Sequence, residues 1–282
     1  MRPVEEITSR QNRRVLEARK LDQRKYRARR QLFLVEGLQL LHMALDVGHE
    51  PLEVFYARSQ FTGKEAPELL RRFQATKAEL APVSAEVMQS LAERDVCQGL
   101  VATFSTWRTP VTELALKGQE LVVVLDRLQD PGNVGTLIRT ADAAGAAAVV
   151  LVEPCADPFD RKTVRGSMGS LFNLPVVHVD DVDGALDYLQ QRGLTVVGAD
   201  AQLGECWGES LWSDGVALIL GNEARGISRD LQRHVMKWVR LPIVGKAESL
   251  NVSVAGGILI YSWLRASLRE ECDGRHPTAG AE

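Results

Sequence analysis

LVVVLDRLQDPGNVGTLIRTADAAGAAAVVLV, residues 121–152, holds the pattern that decides the fold: an apolar run, a loop rich in turn formers, a helical window and a second apolar run. The runs at 121–126 and 146–152 show no polar–apolar alternation, which is the mark of strands covered on both faces by helices. LPVVHV at 174–179, LTVVGA at 194–199 and VALILG at 216–221 repeat it. Helical windows lie between them at 134–144, 158–171 and 181–192. Asn133 is placed to cap the first, Asp157 to cap the second with Pro158 at its first position, and Gly193 to close the third. Strands alternating with helices predict a parallel sheet in an α/β domain. A last helix is expected over 251–270, followed by a disordered tail at 271–282.

Upstream the pattern is mixed. Helices are expected at 36–47, 65–74 and 84–93, the last capped by Ser84, with strands at 52–57 and 99–104 and a short apolar segment at 80–83. The domain plan is therefore a basic arm or helix at 1–30, a small α/β domain at 31–106, a linker at 107–118 containing Pro110, and a large α/β domain at 119–270. At 282 residues the chain is long enough for two cores.

The net charge of −3 hides an uneven distribution. Residues 1–30 carry eleven Arg and Lys against four acids, net +7, so the remaining 252 residues carry −10. A cationic segment on an acidic body suits a polyanion, because each phosphate neutralised releases counterions. Arg13, Arg14, Arg19, Lys20 and Arg27 are the candidate phosphate contacts there, joined by Arg161 and Arg165, one helical turn apart on the 158–171 window. The alternative is a solvated, salt-bridged helix. Cys97, Cys155, Cys206 and Cys272 form no C-x-x-C pair, so neither a zinc site nor a disulfide framework is expected, and no metal is called for. No apolar run spans a bilayer and the first residues lack a secretory core, so a cytoplasmic protein without a membrane partner is expected.

In an open parallel sheet, ligands bind beyond the carboxyl ends of the strands. Three loops there are unusual: DRLQDPGNVGTLIRTADAAGA from Asp126, LGNEARGIS at 220–228, and LPIVGKAESLNVSVAGGILIYSW from Leu241. Glycines in the second permit close backbone approach to a ligand. Arg139 falls on a helix expected to be buried, which calls for an anionic partner. Each loop alone is compatible with ordinary turns or close packing. The segment PGNVGT at 131–136 lacks the G-x-G-x-x-G of a dinucleotide-dependent oxidoreductase.

In order and spacing the three loops resemble the signature motifs of the TrmH-type (SpoU) branch of the SPOUT methyltransferases. The matching residues are Asn133, Gly135, Arg139 and Gly145; then Gly221, Asn222, Glu223, Gly226 and Ser228; then Leu241, Pro242, Gly245 and the run Glu248 to Ser253. The resemblance is dense over 119–270, and the front of the chain looks like the L30e-type substrate-binding domain that many such enzymes carry. It implies an RNA ribose 2′-O-methyltransferase that uses S-adenosylmethionine, works as a homodimer, and has its last segment threaded into a deep trefoil knot. Carried over by position, the cofactor would meet Ala199, Gly221, Asn222, Leu241, Ile243, Ser249 and Leu250. The catalytic set would be Arg139, Asn133, Glu223, Ser249 and Asn251, with Arg139 reaching the partner's cofactor and Glu223 orienting it. The departure is small: Leu241 stands where Ile is commoner. A front domain of this kind favours ribosomal over transfer RNA. The competing expectations are a catalytically silent RNA-binding paralogue and a ribosome-associated RNA-binding protein.

A guanidinium, with its pKa near 12.5, would need depressing by about 5 units, roughly 7 kcal/mol, to act as a base at neutral pH. The expected role for Arg139 is therefore to donate to the 2′-oxygen and a nearby phosphate while the proton leaves through phosphate or water.

Overall fold

The computed structural model describes residues 5–93, 97–208, 212 and 215–272. In chain order the first elements are α1 (Arg13–Lys20), α2 (Arg24–Arg30), β1 (Leu32–Glu36), α3 (Leu38–Asp46), β2 (Glu53–Tyr56), α4 (Glu65–Gln74), β3 (Glu79–Pro82), α5 (Ala85–Leu91) and β4 (Leu100–Ser105). There follow β5 (Leu121–Asp126), α6 (Pro131–Ala143), β6 (Ala148–Val152), α7 (Arg161–Gly166), α8 (Ser170–Asn173), β7 (Val176–Val179), α9 (Val182–Gln191) and β8 (Thr195–Ala199). The last are β9 (Glu205–Cys206), β10 (Val216–Leu220), α10 (Arg229–Gln232), β11 (Lys237–Arg240) and α11 (Val252–Cys272). The chain divides into two compact units, 1–107 with 157–173, and 108–156 with 174–282. None of the described helices is long and apolar enough to cross a membrane.

The first unit is built on a four-stranded sheet in the order β1-β4-β2-β3, with β4 antiparallel to both neighbours and β2 parallel to β3. Residues 13–30 are not a separate arm. Val15, Ala18 and Leu21 are buried in one core with Phe55, Met88 and Leu91, so α1 is held by apolar burial. Segment 157–173 also belongs here, against the expectation that put it in the large domain: Phe159 and Phe172 pack around Phe33, with Phe172 also against Phe104 and both rings against Trp107. Its single expected helix is two short ones, because Met168 and Gly169 take positive φ (51° and 101°) and break the turn. Asp160, not Asp157, caps α7 by accepting from Lys162 N at 3.0 Å, while Asp157 accepts from Phe159 N at 2.9 Å.

The second unit is a seven-stranded parallel sheet in the order β7-β6-β5-β10-β8-β11-β9. β10 is central and every one of its five residues is buried, as its unbroken apolar run requires. The expected linker is partly packed: Leu114 and Leu116 are buried in this unit's core. Asp130, not Asn133, caps α6, accepting from Asn133 N at 2.8 Å, and this leaves the Asn133 side chain free for other partners. α11 continues to Cys272; from residue 273 the expected tail lies outside the described residues.

Candidate active site

Parallel strands in the adjacent order β5-β10-β8-β11 release their carboxyl ends on one edge, so the loops after all four meet there. The loops after β8, β10 and β11, with the start of α11, enclose a cleft of about 240 Å³. Ala199, Gly221, Asn222, Leu241, Ile243, Ser249 and Leu250 all line it. The sequence reading missed Leu220 and Leu259, whose segments had been given to a buried strand and to the last helix, Val239, whose strand it did not foresee, and Asp200, which follows β8. Gly221 is required by space: a Cβ there would lie 2.4 Å from Gly226 C and 2.5 Å from Ile227 N.

Beside the cleft a short polar chain joins residues far apart in sequence. Asn133 Nδ2 donates to Glu223 Oε1 at 2.9 Å, and Asn251 Nδ2 donates to Asn133 Oδ1 at 3.1 Å. Asn251 Oδ1 also accepts from Ser253 N at 2.9 Å, so one side chain both caps the start of α11 and holds Asn133. Within one chain, Glu223 is thus the acceptor that holds Asn133. Arg139 itself is exposed, because α6 buries Val134, Leu137, Ile138 and Ala141 on its other side. It has no hydrogen bond or ion pair among the described residues. Ser249 is exposed at the cleft wall.

The loop carrying Glu223 is clamped at both ends from β5. Asp126, buried at the strand's end, accepts from Ser228 N at 2.5 Å, and Asn222 Nδ2 donates to Arg127 O at 2.8 Å. The signal in sequence was a lone carboxylate closing the apolar run LVVVLD.

The candidate RNA contacts fare unevenly. Arg27 is corrected: its side chain is 4% exposed and donates to Asp157 at 2.7 Å, to Asp160 at 3.2 Å and to the carbonyls of Leu21 and Asp22. Arg161 donates to Leu91 O and lies 3.4 Å from Asp22, and Arg165 pairs with Glu93, so both are engaged within their own unit. Arg14 pairs with Glu53 and Glu79, and Lys20 with Glu17. Arg13 and Arg19 are exposed and make no ion pair among the described residues.

The cleft floor of Leu220, Val239, Leu241 and Leu259 suits a flat heteroaromatic ring, and the rim residues Asp200 and Glu223 suit hydroxyl or cationic groups. Those features fit an adenosyl ligand with a sulfonium. Among the described residues no group of three or more His, Cys, Asp or Glu is placed to hold a metal ion.

A model of the SpoU rRNA Methylase family matches residues 120–261, and one of the MRM3-like substrate binding domain matches residues 12–102. The 23S rRNA (guanosine(2553)-2′-O)-methyltransferase RlmP of Bacillus subtilis is 34% identical over 92% of this chain and 98% of its own length. An AdoMet-bound rRNA methyltransferase from Sinorhizobium meliloti superposes with a TM-score of 0.83 at 33% identity, covering 93% of this chain and 98% of that one. The SpoU methyltransferase AviRb from Streptomyces viridochromogenes, in complex with AdoMet, gives 0.81 at 29% identity, covering 93% and 100%.

Proposed function

The chain belongs to the SpoU rRNA methylase family, and from that premise we propose that it transfers a methyl group from S-adenosylmethionine to a ribose 2′-hydroxyl of ribosomal RNA. The observation that carries the reading is the convergence of three distant loops on one cleft, with Asn133, Glu223 and Asn251 hydrogen-bonded beside it. Ribosomal RNA is preferred to transfer RNA because similar full-length relatives act on 23S rRNA. This reading places the protein in the cytoplasm, with its RNA.

When bound, S-adenosylmethionine would supply a methyl group activated by its sulfonium, the carbon–sulfur bond breaking as the carbon–oxygen bond forms and the donor leaving as a neutral thioether. The apolar floor and the backbone around Gly221, Leu241 and Leu250 would hold the donor, and Ser249 would contact it at the wall. Asn133 and Asn251 keep the loop of Glu223 in place against the cleft. The 2′-oxygen must lose its proton as the new C–O bond forms, and Arg139 donates to that oxygen and to a neighbouring phosphate, stabilising the developing negative charge. The proton passes to phosphate or water.

A homodimer completes the site in this reading, with Arg139 serving the partner's cleft. Two observations support it. Arg139 stands exposed without a partner among the described residues of its own chain. α11, packed beside α6, exposes Val254 (52%), Ile258 (37%), Tyr261 (50%) and Leu268 (51%) at helical spacing, an apolar stripe of the kind a second copy covers.

Single-turnover methylation by Arg139→Lys tests the assignment. The lysine keeps the charge but loses the fork, and the rate should fall at least tenfold across pH with donor binding by calorimetry unchanged. A wild-type rate would remove Arg139 from the catalytic set. Calorimetry also separates the readings: a protein that only binds RNA takes up no donor.

A further inference from the structure

A second groove, of about 950 Å³, lies on the other side of the 222–226 loop from the donor cleft and shares Asn222, Ala224 and Gly226 with it. Its charged lining is Asp126, Arg127, Arg225, Arg229 and Asp230. Arg127 is held against the acids, 3.6 Å from Asp126 and 3.5 Å from Asp230, and takes a φ of +57°, a conformation costing about 1 kcal/mol or more outside glycine. Asp126 Oδ1 and Arg127 Nε meet only as that ion pair, without a hydrogen bond, and the buried Ser228 Oγ has no hydrogen-bond partner among the described residues. Buried polar atoms left this way are costly unless something else satisfies them. At the rim, Arg225 and Arg229 are exposed and have neither ion pair nor hydrogen bond from their side chains among the described residues.

We propose that this groove binds the sugar–phosphate backbone of the RNA strand next to the methylated nucleotide, with Arg225 and Arg229 on its phosphates. One loop separates the groove from the cleft, so a strand seated here presents its neighbouring ribose to the donor side. Arg127, already neutralised, shapes the floor and is not counted as a contact. The inference rests on the methyltransferase reading for the placement of the ribose, while the groove's affinity for RNA is measurable without catalysis.

The test is the paired substitution Arg225→Gln with Arg229→Gln, using an unmethylated transcript of large-subunit ribosomal RNA as the probe. Binding is measured by fluorescence anisotropy over a series of salt concentrations. The dissociation constant should rise about tenfold, and the slope of log affinity against log salt should fall by about 1.4, two contacts at about 0.7 each for a single strand. S-adenosylmethionine binding by calorimetry should not change. An unchanged salt slope overturns the proposal. If the pair also loses donor binding, Arg229→Gln alone decides, since Arg229, unlike Arg225, lies outside the 222–226 loop that the groove shares with the cleft: a slope lower by about 0.7 supports the proposal and no change overturns it. Wild-type protein that binds RNA with the expected slope yet methylates none would sink the methyltransferase reading and leave the groove standing.

Discussion

Gly221→Ala is the sharpest probe of how the donor cleft is built. The added Cβ would sit 2.4 Å from Gly226 C, 2.5 Å from Ile227 N and 2.8 Å from Gly226 O, all of them backbone atoms. Ordinary contact begins near 3.4 Å, so the far side of the loop must retreat by about 1 Å. That retreat strains the reciprocal hydrogen bonds between Asn222 and Gly226, at 3.0 and 2.8 Å, and shifts Glu223 away from Asn133. Overpacking of this size costs about 1–3 kcal/mol. Since the displaced loop is a wall of the cleft, most of that cost should appear in donor binding, about tenfold to a hundredfold at roughly 1.4 kcal/mol per decade. Calorimetry with S-adenosylmethionine measures it. The control is Gly226→Ala, where φ is +65° but nothing lies within 4 Å of the new Cβ, so binding should suffer less. Wild-type donor affinity in Gly221→Ala would refute the claim that this loop shapes the cleft.

Arg27→Ala leaves Asp157 and Asp160 without their cation in a nearly closed site, and unfolding of the variant in denaturant should reveal a loss of about 3 kcal/mol. A loss under about 1 kcal/mol would return Arg27 to the class of exposed pairs. His49, packed at 4.7 Å from Trp107 and 5.3 Å from Phe172, has its pKa pushed below the usual 6.5 by burial, against a smaller raising effect of the Phe172 backbone. Its unfolded form therefore binds a proton that the folded form resists. Stability should be full above about pH 6.5 and decline as pH falls below it, and His49→Gln should flatten that part of the thermal-unfolding profile. A wild-type profile in His49→Gln would show that other groups set it. Ser262→Ala strands the buried Trp212 Nε1, now bonded to Ser262 Oγ at 2.7 Å, and should cost about 1–3 kcal/mol in the same denaturant assay. A loss near zero would mean that the indole finds another acceptor.

The central strands were legible because burial on both faces writes itself as unbroken runs such as VALIL. β11 was not, since KWVR carries two charges and only Val239 is buried, and β9 is too short to leave a pattern. β1 was hidden because its LFLVE runs into a helical window one residue later. Caps were misplaced by three residues at both Asn133 and Asp157, where a second Asp stood in reach and local sequence offers no way to choose. The polar chain of the site joins residues 90 and 118 positions apart, and periodicity yields elements without their neighbours. Only the motif resemblance brought Asn133, Glu223 and Asn251 together beforehand. Charge counting misled for the opposite reason: it registers cations without registering Asp157, Glu93 or Glu53, which occupy them.

Methyl transfer to a ribose oxygen has a chemical signature, because alkaline cleavage of RNA needs a free 2′-hydroxyl. Unmethylated large-subunit ribosomal RNA incubated with the protein and methyl-labelled S-adenosylmethionine should, after alkaline hydrolysis, yield its label in a single resistant dinucleotide. Label released with mononucleotides as a methylated base, or no transfer at all by a protein that binds both ligands, would contradict the assignment of the reaction to the ribose.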